Sequence, residues 1–155
     1  RGKRRAGLLA DYLAMRGIGA LHSSDEIKTV QTAEIVGETI GLPVNAVHDL
    51  REHERHGTPI VDAEDWRSTV IESIRNQNEH IYGSEAVGTA RMRFGAAVER
   101  LMETAGADQT VAVIAHGTVI STFVPELLDT DPVSIWESLG LPGLIEIEWP
   151  GLPRF

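Results

Sequence analysis

The segment Val111–Ile120 constrains the fold more than any other part of this 155-residue chain. The apolar run Val111–Ala115 is followed directly by His116 and Gly117, and an amphipathic helix pattern begins at once. An apolar run without alternation is typical of a strand that helices cover on both faces, as in a parallel α/β sheet. Ligands of such sheets bind beyond the carboxyl ends of the strands. His116 is therefore a candidate functional residue, although a histidine that only closes a strand would give the same pattern.

The two residues after His116 point towards an anionic ligand. Gly117 lets the backbone come close to a ligand. Thr118 is predicted to cap the next helix, whose first N–H groups favour an anion. An imidazole beside such a helix start indicates phosphate chemistry.

The rest of the chain alternates between helical and strand patterns. Helices are predicted near residues 6–16, 24–40, 66–74, 87–101 and 118–127 and from 131; strands at 18–22, 44–47 and 111–115; and long loops at 48–63 and 76–84. This alternation predicts one α/β domain, residues 1–155, built as a three-layer sandwich on a mostly parallel sheet. Leu144–Trp149 alternates between apolar and polar residues and is predicted to be an antiparallel edge strand. These strands are few for so many helices, as if one strand were missing.

Composition narrows the classes of partner and site. The net charge of −9 comes without a basic stripe, so we expect neither a nucleic-acid nor a membrane-surface partner. The chain has no cysteine, which excludes disulfides, thiol catalysis and cysteine metal sites. No apolar run approaches the length of a membrane span. We expect a cytoplasmic protein, and the oligomeric state is left open. Because the chain starts Arg-Gly-Lys-Arg-Arg without methionine, it is expected to be part of a longer protein.

Three polar residues follow the predicted parallel strands. Lys28 comes shortly after the first strand, Glu52 after the second and His116 directly after the third. Because the carboxyl ends of parallel strands open on one edge, these groups can converge. A cation, a carboxyl group and an imidazole are the parts that phosphoryl transfer needs. Taken singly, Lys28 would be a solvated helix charge and Glu52 an exposed loop acid. Glu54 is the nearest rival for the acid role.

Four motifs in this order resemble the histidine phosphatase superfamily, which has the phosphoglycerate-mutase-like fold. They are Leu21–Ser24 with Lys28–Ala33, Leu50–His53, Gly83–Glu85 and Ala115–Ile120. The resemblance implies that His116 hydrogen-bonds the phosphoryl group and that Glu52 donates and accepts the proton. It also implies that Lys28 stands where the family usually has a phosphate-binding arginine, and that Gly117 brings the backbone beside the phosphate.

The chain departs from the family pattern in two places. Lys28 carries a point charge and cannot make the two-pronged contact of a guanidinium. The nucleophile of the family is a histidine in an Arg-His-Gly motif at the end of a first strand, and we expect that strand to be missing from this chain. Arg55-His56-Gly57 spells the motif, but no apolar strand precedes it, so we interpret it as a coincidence in a charged loop.

Other titratable residues have simpler interpretations. His48, His53 and His56 could suggest a metal site, but the spacing of the last two is one residue short of a zinc-protease helix. Glu85 is interpreted as a helix acid favoured by the dipole, and His53 or His56 could line the pocket.

The sequence therefore predicts a phosphomonoesterase that works through a phosphohistidine on small phosphomonoesters, with no metal or cofactor. The nucleophile is predicted to be absent from this chain, which alone is expected to be inactive. Phosphatase is favoured over mutase because the larger mutase machinery is not visible, and the natural substrate is left open. The alternative is a non-catalytic phospholigand-binding or regulatory protein.

Overall fold

A computed structural model describes residues 2–58 and 62–149. Helices and strands alternate along these residues. They are α1 (Gly2–Ala14), β1 (Ile18–Ser24), α2 (Ile27–Ile40), β2 (Val44–Val47), α3 (Ala63–Arg75), α4 (Val87–Thr104), β3 (Thr110–Ile114), α5 (Gly117–Phe123) and α6 (Pro132–Ser138), with short 3₁₀ turns at His48–Leu50 and Val124–Glu126. No helix in the described ranges is long and apolar enough to cross a membrane.

The described strands form a parallel sheet in the order β2-β1-β3. Leu21 at the centre of β1 lies opposite Val44 on one side and Ala112 on the other. This confirms the predicted parallel sheet. All three strands run in the same direction, so their carboxyl ends lie at one edge of the sheet. Ser24, at the end of β1, and His116, two residues after β3, both lie at this edge.

Helices cover both faces of the sheet. Helices α1 and α2 pack on one face, over a core of Ala10, Leu13, Leu21, Val36 and Ala112. Helices α4 and α5 pack on the other, over a core of Leu50, Ala90, Phe94, Ala97, Val98, Val119 and Phe123. Successive residues of β3 face opposite cores: Ala112 joins the first and Val113 packs against the second. This confirms the three layers and explains why β3 is apolar without interruption.

Residues at the ends of the helices fix where the loops leave the layers. Gly41 ends α2 in the left-handed region, with φ of 73°, where a side chain would be strained. The Asp62 carboxylate accepts the N–H groups of Glu64 and Asp65 and so begins α3. Asp131 caps α6 by accepting the Ser134 N–H at 2.7 Å, with Pro132 at the first helical position.

The prediction of a strand at Leu144–Trp149 is wrong, since these residues pair with no strand of the described chain. An alternation of apolar and polar residues does not by itself make a strand, because the backbone N–H and C=O groups of a strand need a partner strand. The segment is held instead through Glu146, whose carboxylate accepts from Tyr12 Oη and pairs with Arg16, both at 3.1 Å.

The outer edge of β3 is open within the described ranges, where β3 pairs only with β1. A cavity of about 1880 Å³ extends along it, lined by residues 110–117 on one side and 144–148 on another, and by α1. One end of this cavity is lined by His116, Glu52 and Lys28.

Candidate active site

His116 lies at the carboxyl edge of the sheet, between the end of β3 and the first residue of α5. Its imidazole is 6% exposed, and its Nε2 is hydrogen-bonded at 2.9 Å to Oγ of Ser24, the last residue of β1. The same nitrogen lies 3.4 Å from Oε1 of Glu26. The ends of two neighbouring strands thus meet at His116, as expected for a parallel sheet.

The Glu52 carboxylate occupies the start of α5. It accepts the backbone N–H groups of Thr118 at 3.2 Å, Val119 at 3.3 Å and His53 at 3.0 Å. These N–H groups of Thr118 and Val119 would otherwise lack partners, because helix starts leave them free. The start of α5 therefore binds an anion as expected, but this anion is the Glu52 carboxylate of the protein itself. The prediction that the Thr118 side chain caps α5 is wrong. The Glu52 carboxylate takes the first N–H groups of the helix, and the Thr118 hydroxyl accepts from Arg55 instead.

Glu26 connects the two candidate catalytic residues. Its Oε1 accepts the backbone N–H of Glu52 at 2.8 Å and lies 3.4 Å from the His116 imidazole. Burial lowers the pKa of His116 below its ordinary value, although the negative charges of Glu52 and Glu26 oppose the shift; the positive charges of Lys28 and Arg55 add to it. The neutral imidazole is therefore favoured at pH 7.

Lys28 and Gly117 complete the set of residues singled out from the sequence. Lys28 is exposed in the first turn of α2 and lines the same cavity as His116, Glu52 and Gly117. A Cβ at position 117 would lie 3.9 Å from the Trp136 indole, an ordinary contact. The protein itself therefore does not require glycine at this position.

The structure brings one further cation to the site, Arg55, which the sequence alone indicates only as part of a charged loop. Its Nη2 donates to Oε2 of Glu52 at 3.3 Å and to Oγ1 of Thr118 at 3.1 Å. Its guanidinium carbon lies 4.9 Å from the centre of the Trp66 ring, within range of a cation–π contact. The sequence signals at Arg55 are its spacing of three residues from Glu52 and the Arg-His-Gly match, and no helix or strand pattern supports either of them. His56 is exposed beside it.

The rival acids of the loop have other partners. Glu54 forms an ion pair with Arg51 at 3.0 Å and accepts from Ser84 Oγ, contacts that hold the pKa of Glu54 below its usual value. Glu85 pairs with Arg93 at 2.9 Å, and its carbonyl oxygen lies 2.7 Å from His53 Nε2. The geometry thus places Glu52 rather than Glu54 next to His116. Histidines, aspartates and glutamates form no cluster fit for a metal ion within residues 2–58 and 62–149.

The parallel α/β sheet and its edge site define a class of protein. An imidazole, a carboxylate and two cations meet where the strands of a covered parallel sheet end, a combination typical of α/β proteins that bind phosphate.

Comparison with known proteins narrows this class to a family. The profile of the histidine phosphatase superfamily (branch 1) matches residues 1–150. The chain belongs to this superfamily, as its motifs indicated.

Two kinds of relative are similar to the chain. A probable phosphoglycerate mutase GpmB of Yersinia enterocolitica is 27% identical over 138 residues, which is 84% of this chain and 63% of that protein. A mycobacterial glucosyl-3-phosphoglycerate phosphatase has a structure of TM-score 0.70 at 27% identity, covering 89% of this chain and 71% of its own. The structure of mycobacterial hydrolase 1 has a TM-score of 0.71 at 25% identity, with the same two coverages. The phosphatase has also been solved in complex with inorganic phosphate. The chain thus spans less than two thirds of the length of the mutase relative.

Proposed function

We propose that this chain carries the larger part of the active site of a phosphomonoesterase that works through a phosphohistidine intermediate. The observation that carries the proposal is the convergence of His116 and Glu52 at one sheet edge: both contact Glu26, and both line the cavity that Lys28 lines. Membership of the histidine phosphatase superfamily supports the same chemistry.

Each residue has a part in the proposed reaction. A nucleophilic histidine attacks the phosphorus atom, a P–N bond forms, and the P–O bond to the leaving group breaks. His116 hydrogen-bonds the phosphoryl oxygens, and Lys28 offsets their charge. The carboxyl group of Glu52 protonates the leaving oxygen and then takes a proton from the water that cleaves the P–N bond. Gly117 brings the backbone beside the phosphate. No step uses a metal or cofactor.

The proposed nucleophile is a histidine on a further strand that pairs with the open edge of β3. Two features support this placement. The edge has no partner within the described ranges, and the adjacent cavity of about 1880 Å³ follows β3 from Thr110 to Gly117, where the candidate site lies. A strand in this position would end beside His116. Residues 144–148, on the other side of the cavity, would then gain a neighbour for pairing.

The proposed substrates are small phosphomonoesters. The relatives include a glucosyl-3-phosphoglycerate phosphatase and a probable phosphoglycerate mutase. We favour hydrolysis over mutase activity because the motifs of this chain account for phosphate binding and proton transfer and for nothing beyond them.

The test is made with protein expressed from its complete coding sequence. A ³²P-labelled phosphomonoester is mixed with the enzyme, and the protein is denatured at alkaline pH during turnover. We expect label on a histidine that acid releases, and a fall in kcat of about a hundredfold or more for His116→Ala. The 155-residue chain alone should not hydrolyse p-nitrophenyl phosphate. Hydrolysis by that chain, abolished by His116→Ala, would show that the nucleophile lies within it.

One observation favours a second candidate, a non-catalytic phospholigand-binding or regulatory protein. No other histidine side chain in the described ranges hydrogen-bonds to a residue of the site: the ring of His53 contacts Glu85, that of His48 contacts Asp25 and that of His80 contacts Gly83. A complete coding sequence without an Arg-His-Gly strand upstream of Arg1 would favour this candidate.

A further inference from the structure

We infer that Arg55 is a second phosphate-binding cation of this site, beside Lys28. The inference rests on the proposed function, because it concerns the phosphate that is proposed to bind beside His116 and Glu52. It assigns a binding role to a loop residue that lies outside the motifs of the family.

The guanidinium is held at the site from two sides. Nη2 bridges Glu52 and Thr118, which lie at the start of α5 directly after His116. Trp66, at the start of α3, lies against the face of the guanidinium. The Trp66 ring in turn meets Tyr82 edge to face, with centroids 5.2 Å apart, and Tyr82 is buried. This packing fixes the plane of the guanidinium, so less conformational freedom is lost when an anion binds.

Part of the guanidinium remains available to a ligand. The hydrogen bonds of Arg55 within the described ranges all run through Nη2, and the side chain is 34% exposed. Nε is buried, so Nη1, which makes none of these hydrogen bonds, is the nitrogen that would donate to an anion. A phosphate oxygen can bind Nη1 while Nη2 stays on Glu52, because a guanidinium carries five donors in one plane.

The charges around His116 give an independent reason. Four charged groups act on the imidazole: the carboxylates of Glu52 and Glu26 and the cations of Lys28 and Arg55. Without Arg55 the formal charge of this set is negative, and the chain as a whole carries −9. A pocket of that sign would repel a phosphate dianion, whereas with Arg55 the set is neutral.

The experiment measures binding of inorganic phosphate by calorimetry to the protein from its complete coding sequence. Arg55→Met keeps the length of the side chain and removes its charge and donors, and we expect phosphate binding to weaken about ten- to hundredfold. Arg100→Met is the matched control. It removes the same charge from an exposed arginine whose partner is Asp49, and it should change affinity by less than about twofold.

A second measurement needs no variant and so does not depend on how a variant folds. Phenylglyoxal modifies exposed arginines, and mass spectrometry follows the modification of Arg55 and Arg100 in the same sample. Phosphate should slow the modification of Arg55 and leave that of Arg100 unchanged. If phosphate binds and Arg55 is labelled at the same rate, or if Arg55→Met binds within about twofold of wild type, the inference is wrong.

The outcomes also separate this inference from the proposed reaction. Phosphate binding that depends on Arg55, in a protein that forms no phosphohistidine, would support the role of Arg55 and refute the phosphatase. A wild-type protein that binds no phosphate at millimolar concentration would overturn both.

Discussion

Replacing Glu52 by alanine tests whether this acid is a structural part of α5 as well as a proposed proton donor. The carboxylate accepts the N–H groups of Thr118, Val119 and His53 and the guanidinium of Arg55. Thr118 and Val119 are fully buried, with relative exposures of 0%. Their N–H groups would lose their partner in Glu52→Ala, and Arg55 would lose its counter-charge.

The expected cost follows from these contacts. A buried donor left without a partner costs about 1–3 kcal/mol. Two such donors at the start of α5, with water entering part of the space, give a loss of about 2–4 kcal/mol in the free energy of unfolding. Urea denaturation followed by circular dichroism measures this loss, with Glu54→Ala as the control. Glu54 bonds Arg51 and Ser84 near the surface, so its loss should lower the free energy of unfolding much less than the loss of Glu52.

Equal urea midpoints and slopes for Glu52→Ala and Glu54→Ala would refute the reasoning, since the Glu52 carboxylate would then not hold α5. Glu52→Gln separates charge from shape. Its single carbonyl oxygen can keep one of the two N–H groups of α5, and we expect a loss between those of wild type and Glu52→Ala. Phosphatase assays alone could not make this distinction, because removal of the proposed proton donor lowers kcat whether or not α5 is held in place.

Two further predictions concern His116 and Lys28. Burial lowers the pKa of His116, so between the folded pKa and the ordinary value of 6.5 the unfolded chain binds a proton that the folded state does not. The stability that this residue contributes is therefore fully present above 6.5 and is lost as pH falls through the folded pKa. Melting temperatures measured from about pH 7.5 to about pH 5 should therefore fall less steeply for His116→Gln than for wild type, and parallel curves would contradict this. Lys28→Arg should bind inorganic phosphate severalfold more tightly and Lys28→Met about tenfold more weakly. Arg100→Met, which removes a positive charge away from the cavity, should leave the affinity unchanged. Calorimetry that finds Lys28→Met equal to wild type would remove Lys28 from the site.

The sequence predicts best where one physical requirement fixes the residues. The run Val111–Ala115 is apolar throughout because helices cover both faces of β3, and a pattern of that kind has few alternative explanations. The convergence of Ser24 and His116 then follows from the common direction of the strands. These features predict both the layers and the edge at which the candidate site lies.

The sequence predicts less well where the partner of a group lies far away along the chain. Thr118 has a side chain suited to capping, but the Glu52 carboxylate, which comes from the loop after β2, takes the N–H groups of α5. Arg55 reaches the site because Trp66 holds its guanidinium, and no periodicity relates these two residues. The alternation of Leu144–Trp149 predicts one apolar and one polar face, but a strand also needs a partner strand for its backbone hydrogen bonds.

The open edge of β3 has a consequence for how accurately a histidine on a pairing strand would be positioned beside His116. A strand that pairs there is positioned by its hydrogen bonds to residues 110–114, and the cavity leads from these residues to His116. A slip of one residue would turn every side chain of that strand to the opposite face and move its end by about 3.3 Å. Since phosphoryl transfer loses most of its rate when a reacting atom is misplaced by about 1 Å, backbone pairing far from the phosphate would decide whether the chemistry occurs. Substitutions at the amino end of β3, remote from any ligand, are therefore expected to alter kcat through register alone.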